Sequence, residues 1–173
     1  MKHVFKNIMQ IMHSIDILME KQLTPSVLIL IYSAMDIVSS LSVRGDRDSQ
    51  KKDFIAWVDR YLTPKLQTCT GSDLYAARCS VVHTLGSESS MSREGKAKNV
   101  VYVWGNESPD KWQSISNLTE YRIVVIKIED LIYTFRQAVG EFFELAQKDE
   151  ELLQNVKIRS QKMFSDENIF REN

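Results

Sequence analysis

With 173 residues, 43% of them hydrophobic and 26% charged, the chain has the length and composition of one ordinary soluble domain with a core of its own. A formal net charge of −1 excludes a broad, charge-driven nucleic-acid binder, which needs an excess of lysine and arginine; a local basic groove stays open. The longest apolar run, VLILIY at 27–32, is far shorter than the roughly 20 residues of a bilayer span, and the N-terminus lacks a secretory pattern, so a cytoplasmic protein without a membrane partner is expected.

Residues 2–22 carry Phe5, Ile8, Met9, Met12, Ile15 and Met19 at helical spacing, which predicts a first amphipathic helix. His3 and His13 do not share a face of it and read as surface residues. Thr24-Pro25 has the form of a cap followed by proline at the first helical position. The helix it opens, to about Val43, is apolar on most sides and belongs at the centre, except for a stripe of Ser33, Asp36 and Ser40. After the polar loop RGDRDS, residues 50–62 form a third helix with Phe54, Trp57, Val58 and Tyr61 on one face. Thr70-Gly71-Ser72-Asp73 opens a fourth helix over 73–84, which Gly86 closes.

The periodicity then changes. SESSMSREGKAK reads as a polar, basic loop, and NVVYVWG and YRIVVIKI as two strands. Joined by NESPDKWQSISNLTE, they are expected to pair as an antiparallel hairpin near 98–128. Residues 129–147 return to helix, with Leu131, Phe135, Ala138, Phe142 and Leu145 on one stripe. The KDEE cluster bends or breaks it, and a last helix reaches about 164. Residues 165–173 read as a flexible tail. The expected fold is a single mainly α domain over 1–164, a helical bundle with a small inserted antiparallel β-hairpin.

Chemistry concentrates in LYAARCSVVHTLG, residues 74–86, where Arg78 precedes His83 by five positions. That spacing sets them about 140° apart in helical projection, yet a long arginine reaches a histidine in the last turn. The helix C-terminus favours the charged form of an imidazole. A titratable histidine beside a permanent guanidinium suits proton transfer at a ribose hydroxyl while the cation holds the phosphate. The competing reading makes Arg78 the partner of Asp36, a carboxylate among apolar neighbours, and His83 a helix cap. Both fit together if Asp36 fixes the arginine.

An arginine, four to six residues and a histidine, late in a helix of an all-α bundle, resembles the motif of HEPN domains (higher eukaryotes and prokaryotes nucleotide-binding). The stretches YSAMDIVSSL, DFIAWVDRYL, LYAARCSVVHTLGSESSMSREGKAK and VVYVWG, followed by RIVVIKIEDL, are similar to uncharacterised bacterial proteins of that kind and span most of residues 30–131. The resemblance implies a HEPN-like bundle and a metal-independent endoribonuclease of toxin–antitoxin, defence or RNA-processing type, working as a homodimer with RNA and an antitoxin or other protein as partners. It implies His83 as general acid–base and Arg78 as phosphate contact; Asp36 and Cys79 are expected behind them from their positions in the sequence, not from the resemblance. Active members usually carry a polar residue, often asparagine, after the arginine; here Cys79 stands there. Many HEPN domains are non-catalytic dimerisation or binding modules, which is the alternative function.

Arg93, Lys96 and Lys98 in the loop after His83 are expected to track RNA phosphates, or simply to be solvated. Trp57, Tyr61, Tyr75 and Trp104 could stack bases, though their spacing suits a core better. Cys69 and Cys79 match no zinc or redox pattern and read as reduced packing thiols. No P-loop, dinucleotide-binding glycine motif or metal-ligand cluster is present in the sequence, so neither a cofactor nor a metal is expected.

Overall fold

A computed structural model describes residues 2–45, 47–117 and 122–163. The chain is mainly helical with a small two-stranded parallel sheet. In order, its elements are α1 (Lys2–Glu20), α2 (Thr24–Leu41), α3 (Lys51–Tyr61), α4 (Thr63–Leu66), α5 (Gly71–Thr84), α6 (Ser90–Arg93), β1 (Asn99–Val103), α7 (Pro109–Asn117), β2 (Ile123–Lys127), α8 (Ile128–Lys148) and α9 (Glu150–Ser160).

The central position expected for α2 holds: Val27, Ile31, Tyr32, Met35, Val38 and Leu41 are all buried, and α1, α3, α5, α8 and α9 pack against it. By length and composition α2 could also cross a bilayer; half of it is buried inside the bundle. The predicted faces of α3 and α8 are the buried ones, and Trp57, Tyr61, Phe135 and Phe142 form an aromatic cluster with edge-to-face contacts. On α1 the buried stripe is Val4, Ile8, Met12 and Ile15, whereas Phe5 and Met9, expected inside, are 51% and 46% exposed. The 3.6-residue period fits either stripe, and packing against α2 selects the one with the branched residues.

The cap of α2 also differs from expectation. Thr24 is already helical, and Leu23 occupies the cap position without a side-chain hydrogen bond. At α5 the capping box does form: Thr70 Oγ1 accepts from the Asp73 amide, and the Asp73 carboxylate accepts from the Thr70 amide. The helix begins two residues earlier than predicted, at Gly71, where a Cβ would stand 2.8 Å from the Ile55 carbonyl oxygen of α3. Its other end is closed by Leu85 rather than Gly86. Leu85 takes the left-handed conformation (φ 51°), and the Gly86 amide donates to the Ser80 carbonyl. As anticipated, the chain breaks at Asp149, whose side chain caps α9 by accepting from the Leu152 amide.

The two strands lie where predicted, but they pair in parallel, with Asn99 opposite Ile123 and Val103 opposite Lys127. The antiparallel hairpin is therefore wrong. The segment between the strands contains α7, and a helix-bearing crossover returns the chain to the same end of the sheet. Ser108 Oγ accepts from the Asp110 amide at its start, with Pro109 in the first turn. Tyr32 of α2 and Tyr102 of β1 join hydroxyls, which fastens the sheet to the bundle, and burial pushes both phenols up. The expected tail lies outside the described residues, as does the end of the connection beyond Asn117.

Candidate functional site

Asp36 sits mid-way along α2 and Arg78 mid-way along α5, and these two packed helices bring them together. Arg78 Nε donates to Asp36 Oδ2 at 2.7 Å, with the side chains 23% and 32% exposed. Arg78 Nη1 lies 3.2 Å from His83 Nε2. The arginine thus bridges the carboxylate to the histidine: the expected Arg78–Asp36 pair forms, while Leu85 and Gly86 rather than His83 close the helix end. Ser33 and Ser40, which share the stripe of Asp36, turn back to their own helix carbonyls instead.

A guanidinium has only donors, so in this contact Arg78 donates and His83 Nε2 accepts. The Arg78 guanidinium is held above its ordinary pKa; desolvation opposes this, but the Asp36 contact outweighs it. For Asp36 burial dominates and pushes its carboxyl up, while Arg78 and His83 pull it down. Cys79, the next residue along α5, also reaches the Arg78 guanidinium. His83 is exposed.

Beside the array is a cleft of about 260 Å³, lined by Asp36, Arg78, Tyr75, Phe54 and the chain from Ser49 to Lys51. Lys51 Nζ lies 5.5 Å above the Tyr75 ring, and Tyr75 packs edge-on against Phe54. The cleft therefore offers two cations, an aromatic face and small polar groups around one space. Lys51, Gln50 and Ser49 were missed in the sequence. The Lys51-Lys52 pair at a helix start was the available signal, but nothing local to it points to α5. Cys79 sits beside Tyr75 and Arg78, half-buried.

The basic loop does not cluster at His83. It leaves the C-terminus of α5 and runs back along that helix. The Lys98 amide donates to Asp73 Oδ1 at 2.6 Å, which puts Lys98 at the opposite end of α5, about 15 Å of helical rise from His83. Lys96 pairs with Glu94 at 2.6 Å, and Arg93 is exposed at the end of α6. The loop meets the cleft through Met91, whose Sδ lies 2.9 Å from Lys51 Nζ.

Of the aromatics considered for stacking, Trp57 and Tyr61 belong to the core; Tyr75 alone lines this cleft, and Trp104 is exposed elsewhere. Cys69 is buried, and burial pushes its thiol up to about 12, so it is a packing residue. His3 is not a free surface residue: its Nε2 contacts the Ser160 carbonyl at 2.8 Å and ties α1 to α9. Among the described residues no group of three His, Cys, Asp or Glu side chains could hold a metal ion.

No known family model, curated protein or solved structure matches this chain.

Proposed function

We propose that the Asp36–Arg78–His83 array is the active centre of a metal-independent endoribonuclease of the HEPN type. The observation that carries this reading is the 3.2 Å contact between Arg78 Nη1 and an exposed His83 Nε2, beside a cleft that offers further cationic and aromatic groups. As substrate phosphate draws Arg78 Nη1 away, His83 Nε2 is released to take the proton of a ribose 2′-hydroxyl, and the 2′-oxygen attacks the adjacent phosphorus. Arg78, oriented by Asp36, turns Nη1 to the phosphoryl oxygens as charge builds on them. The P–O5′ bond breaks, the His83 imidazolium returns its proton to the leaving 5′-oxygen, and the products are a 2′,3′-cyclic phosphate and a 5′-hydroxyl end. Tyr75 offers a face for the neighbouring base, and Lys51 a second phosphate contact. Arg93, Lys96 and Lys98 serve the RNA backbone further along α5 rather than the reacting phosphate.

The resemblance brings with it a homodimer, a cytoplasmic setting and a toxin or phage-defence role held in check by an antitoxin or another protein. Purified chain incubated with mixed RNAs is expected to leave cyclic-phosphate ends. His83→Ala and Arg78→Ala are each expected to slow cleavage by about 10²–10⁴-fold with the fold retained. RNA left uncut at all protein concentrations, or cut equally by His83→Ala, rejects the reading.

A non-catalytic binding module is the second reading, favoured by the Arg78–Asp36 ion pair, which already gives the arginine a structural partner. It predicts that Arg78→Ala lowers the melting temperature while RNA stays uncut by either chain.

A further inference from the structure

A second cavity, of about 460 Å³, shares no lining residue with the cleft beside the Asp36–Arg78–His83 array. Its volume suits a small molecule. It lies between α3 and the corner where α8 gives way to α9. Asp53, Ala56, Trp57, Arg60 and Tyr61 of α3 line it, and their three- and four-residue spacing puts them on one side of that helix. Phe142, Asp149 and Leu152 line it from the α8–α9 corner.

Two polar tips in this wall lack partners. Trp57 is 2% exposed, and its Nε1 is buried without a hydrogen bond to any described residue. An indole nitrogen only donates, a buried one usually finds an acceptor, and leaving it unpaired is costly. Tyr61 is 6% exposed, and its hydroxyl makes no hydrogen bond to another described residue. The charges around these tips are matched except for two. Arg44 pairs with Glu151, and Arg47 with Asp53. Arg60 leans over the Tyr61 ring, 5.3 Å from its centroid, and pairs with no carboxylate among the described residues. Asp149 accepts from the Leu152 amide but pairs with no cation among the described residues. Both are within electrostatic reach of the Tyr61 hydroxyl: burial pushes that phenol up, Arg60 opposes the rise, and Glu141 and Asp149 add to it. One unmatched cation and one unmatched anion thus flank a single aromatic wall.

We propose that this cavity binds a small zwitterion with an apolar body, of the class of free α-amino acids with large apolar side chains. The ligand carboxylate meets Arg60 and accepts from Trp57 Nε1. Its ammonium meets Asp149, and its side chain lies against Phe142 and the Tyr61 ring. A plain anion would leave Asp149 unmatched, and a plain cation would leave both Arg60 and the indole N–H unmatched. The proposal does not rest on the ribonuclease reading, since the site and the array have no residue in common.

Titration calorimetry of the full chain tests it, with L-leucine, L-phenylalanine and L-tryptophan as probes. At least one is expected to bind, one molecule per chain. The deaminated and the decarboxylated counterpart of that probe are each expected to bind more weakly by about tenfold, because each gives up a charge-assisted contact. Arg60→Gln is expected to weaken binding of the amino acid by about the same factor and to erase its advantage over the decarboxylated counterpart. Asp149→Asn is expected to erase the advantage over the deaminated counterpart, while asparagine keeps the cap of α9. The Trp57 indole N–H resonance, assigned with Trp57→Phe, is expected to move downfield on binding, with those of Trp104 and Trp112 unmoved. Failure of all three probes to bind overturns the proposal. Equal binding of the charge-deleted counterparts overturns it too, as does undiminished binding by both charge variants. A shift confined to Trp104 or Trp112 puts the ligand elsewhere and overturns this site. Cleavage assays on the same variants report separately on the ribonuclease reading.

Discussion

Asp36 is a carboxylate that its own helix cannot satisfy, set in the central element of the bundle. Burial raises its pKa above the ordinary 3.8 despite Arg78 and His83. A carboxyl raised by folding contributes stability that is complete below 3.8 and is lost as pH rises through the folded value. At neutral pH the ionised group therefore opposes folding, and Arg78 offsets part of that opposition. Arg78→Met keeps much of the apolar stem but removes the offset. It is expected to raise the Asp36 pKa further, visible in the carboxyl carbon shift by NMR. The loss of stability should grow between pH 4 and pH 7 to about 1–2 kcal/mol, a range held down by the solvent that still reaches both side chains. A loss independent of pH would mean that Asp36 does not depend on Arg78, and with it the positioning role in the proposed mechanism fails.

At the scale of elements, α5 holds the site and is itself held at its start by the side chains of Asp59, Thr70 and Asp73. The buried Asp73 carboxylate accepts from the Thr70 amide and hydroxyl and from the Lys98 amide, so it caps the helix and anchors the returning loop. Asp73→Ala is expected to lower the stability measured in urea by about 2–4 kcal/mol, since a cap is lost and a buried amide is left unpaired. Asp73→Asn should recover part of it; equal losses would mean that packing, not hydrogen bonding, sets the effect. This cap was legible as Thr70–Asp73, and so was the Asp36–Arg78 pair, because a carboxylate in an apolar helix demands a cation. The second anchor at Lys98 was not, since a backbone amide has no sequence signature. The parallel sheet was misread although Ser108-Pro109-Asp110 carries a helix-start signal. Turn-forming residues in that connection suggested a loop, whereas a connection long enough to carry a helix lets the strands run parallel. Lys51, Gln50 and Ser49 reach the cleft through the packing of α3 on α5, which local patterns do not encode.

Across the whole molecule, the wall of the cleft is tied to the last helix. Arg159 of α9 donates through Nε to the Val43 carbonyl at 2.9 Å and through Nη2 to the Gly45 and Arg47 carbonyls. The same segment is held from its other side by Arg47, which pairs with Asp53 through both terminal nitrogens, while Asp53 accepts from the Gln50 amide. Arg47 is the first cause that pulls the Asp53 carboxyl below its ordinary value. Two arginines from distant parts of the chain thus fix the segment that delivers Ser49, Gln50 and Lys51 to the cleft. Removing Arg159 leaves Arg47 and Asp53 in place, so the segment should loosen rather than detach. Arg159→Ala is expected to speed hydrogen exchange of amides in residues 47–51 and to lower stability by about 1–2 kcal/mol, a few degrees in melting temperature for a chain of this size. If RNA is cut, its KM should rise more than kcat falls, because the reacting pair Arg78–His83 is on another helix. Unchanged exchange in residues 47–51 would show that Arg47 and Asp53 suffice, and that the C-terminal helix stabilises the bundle without shaping the cleft.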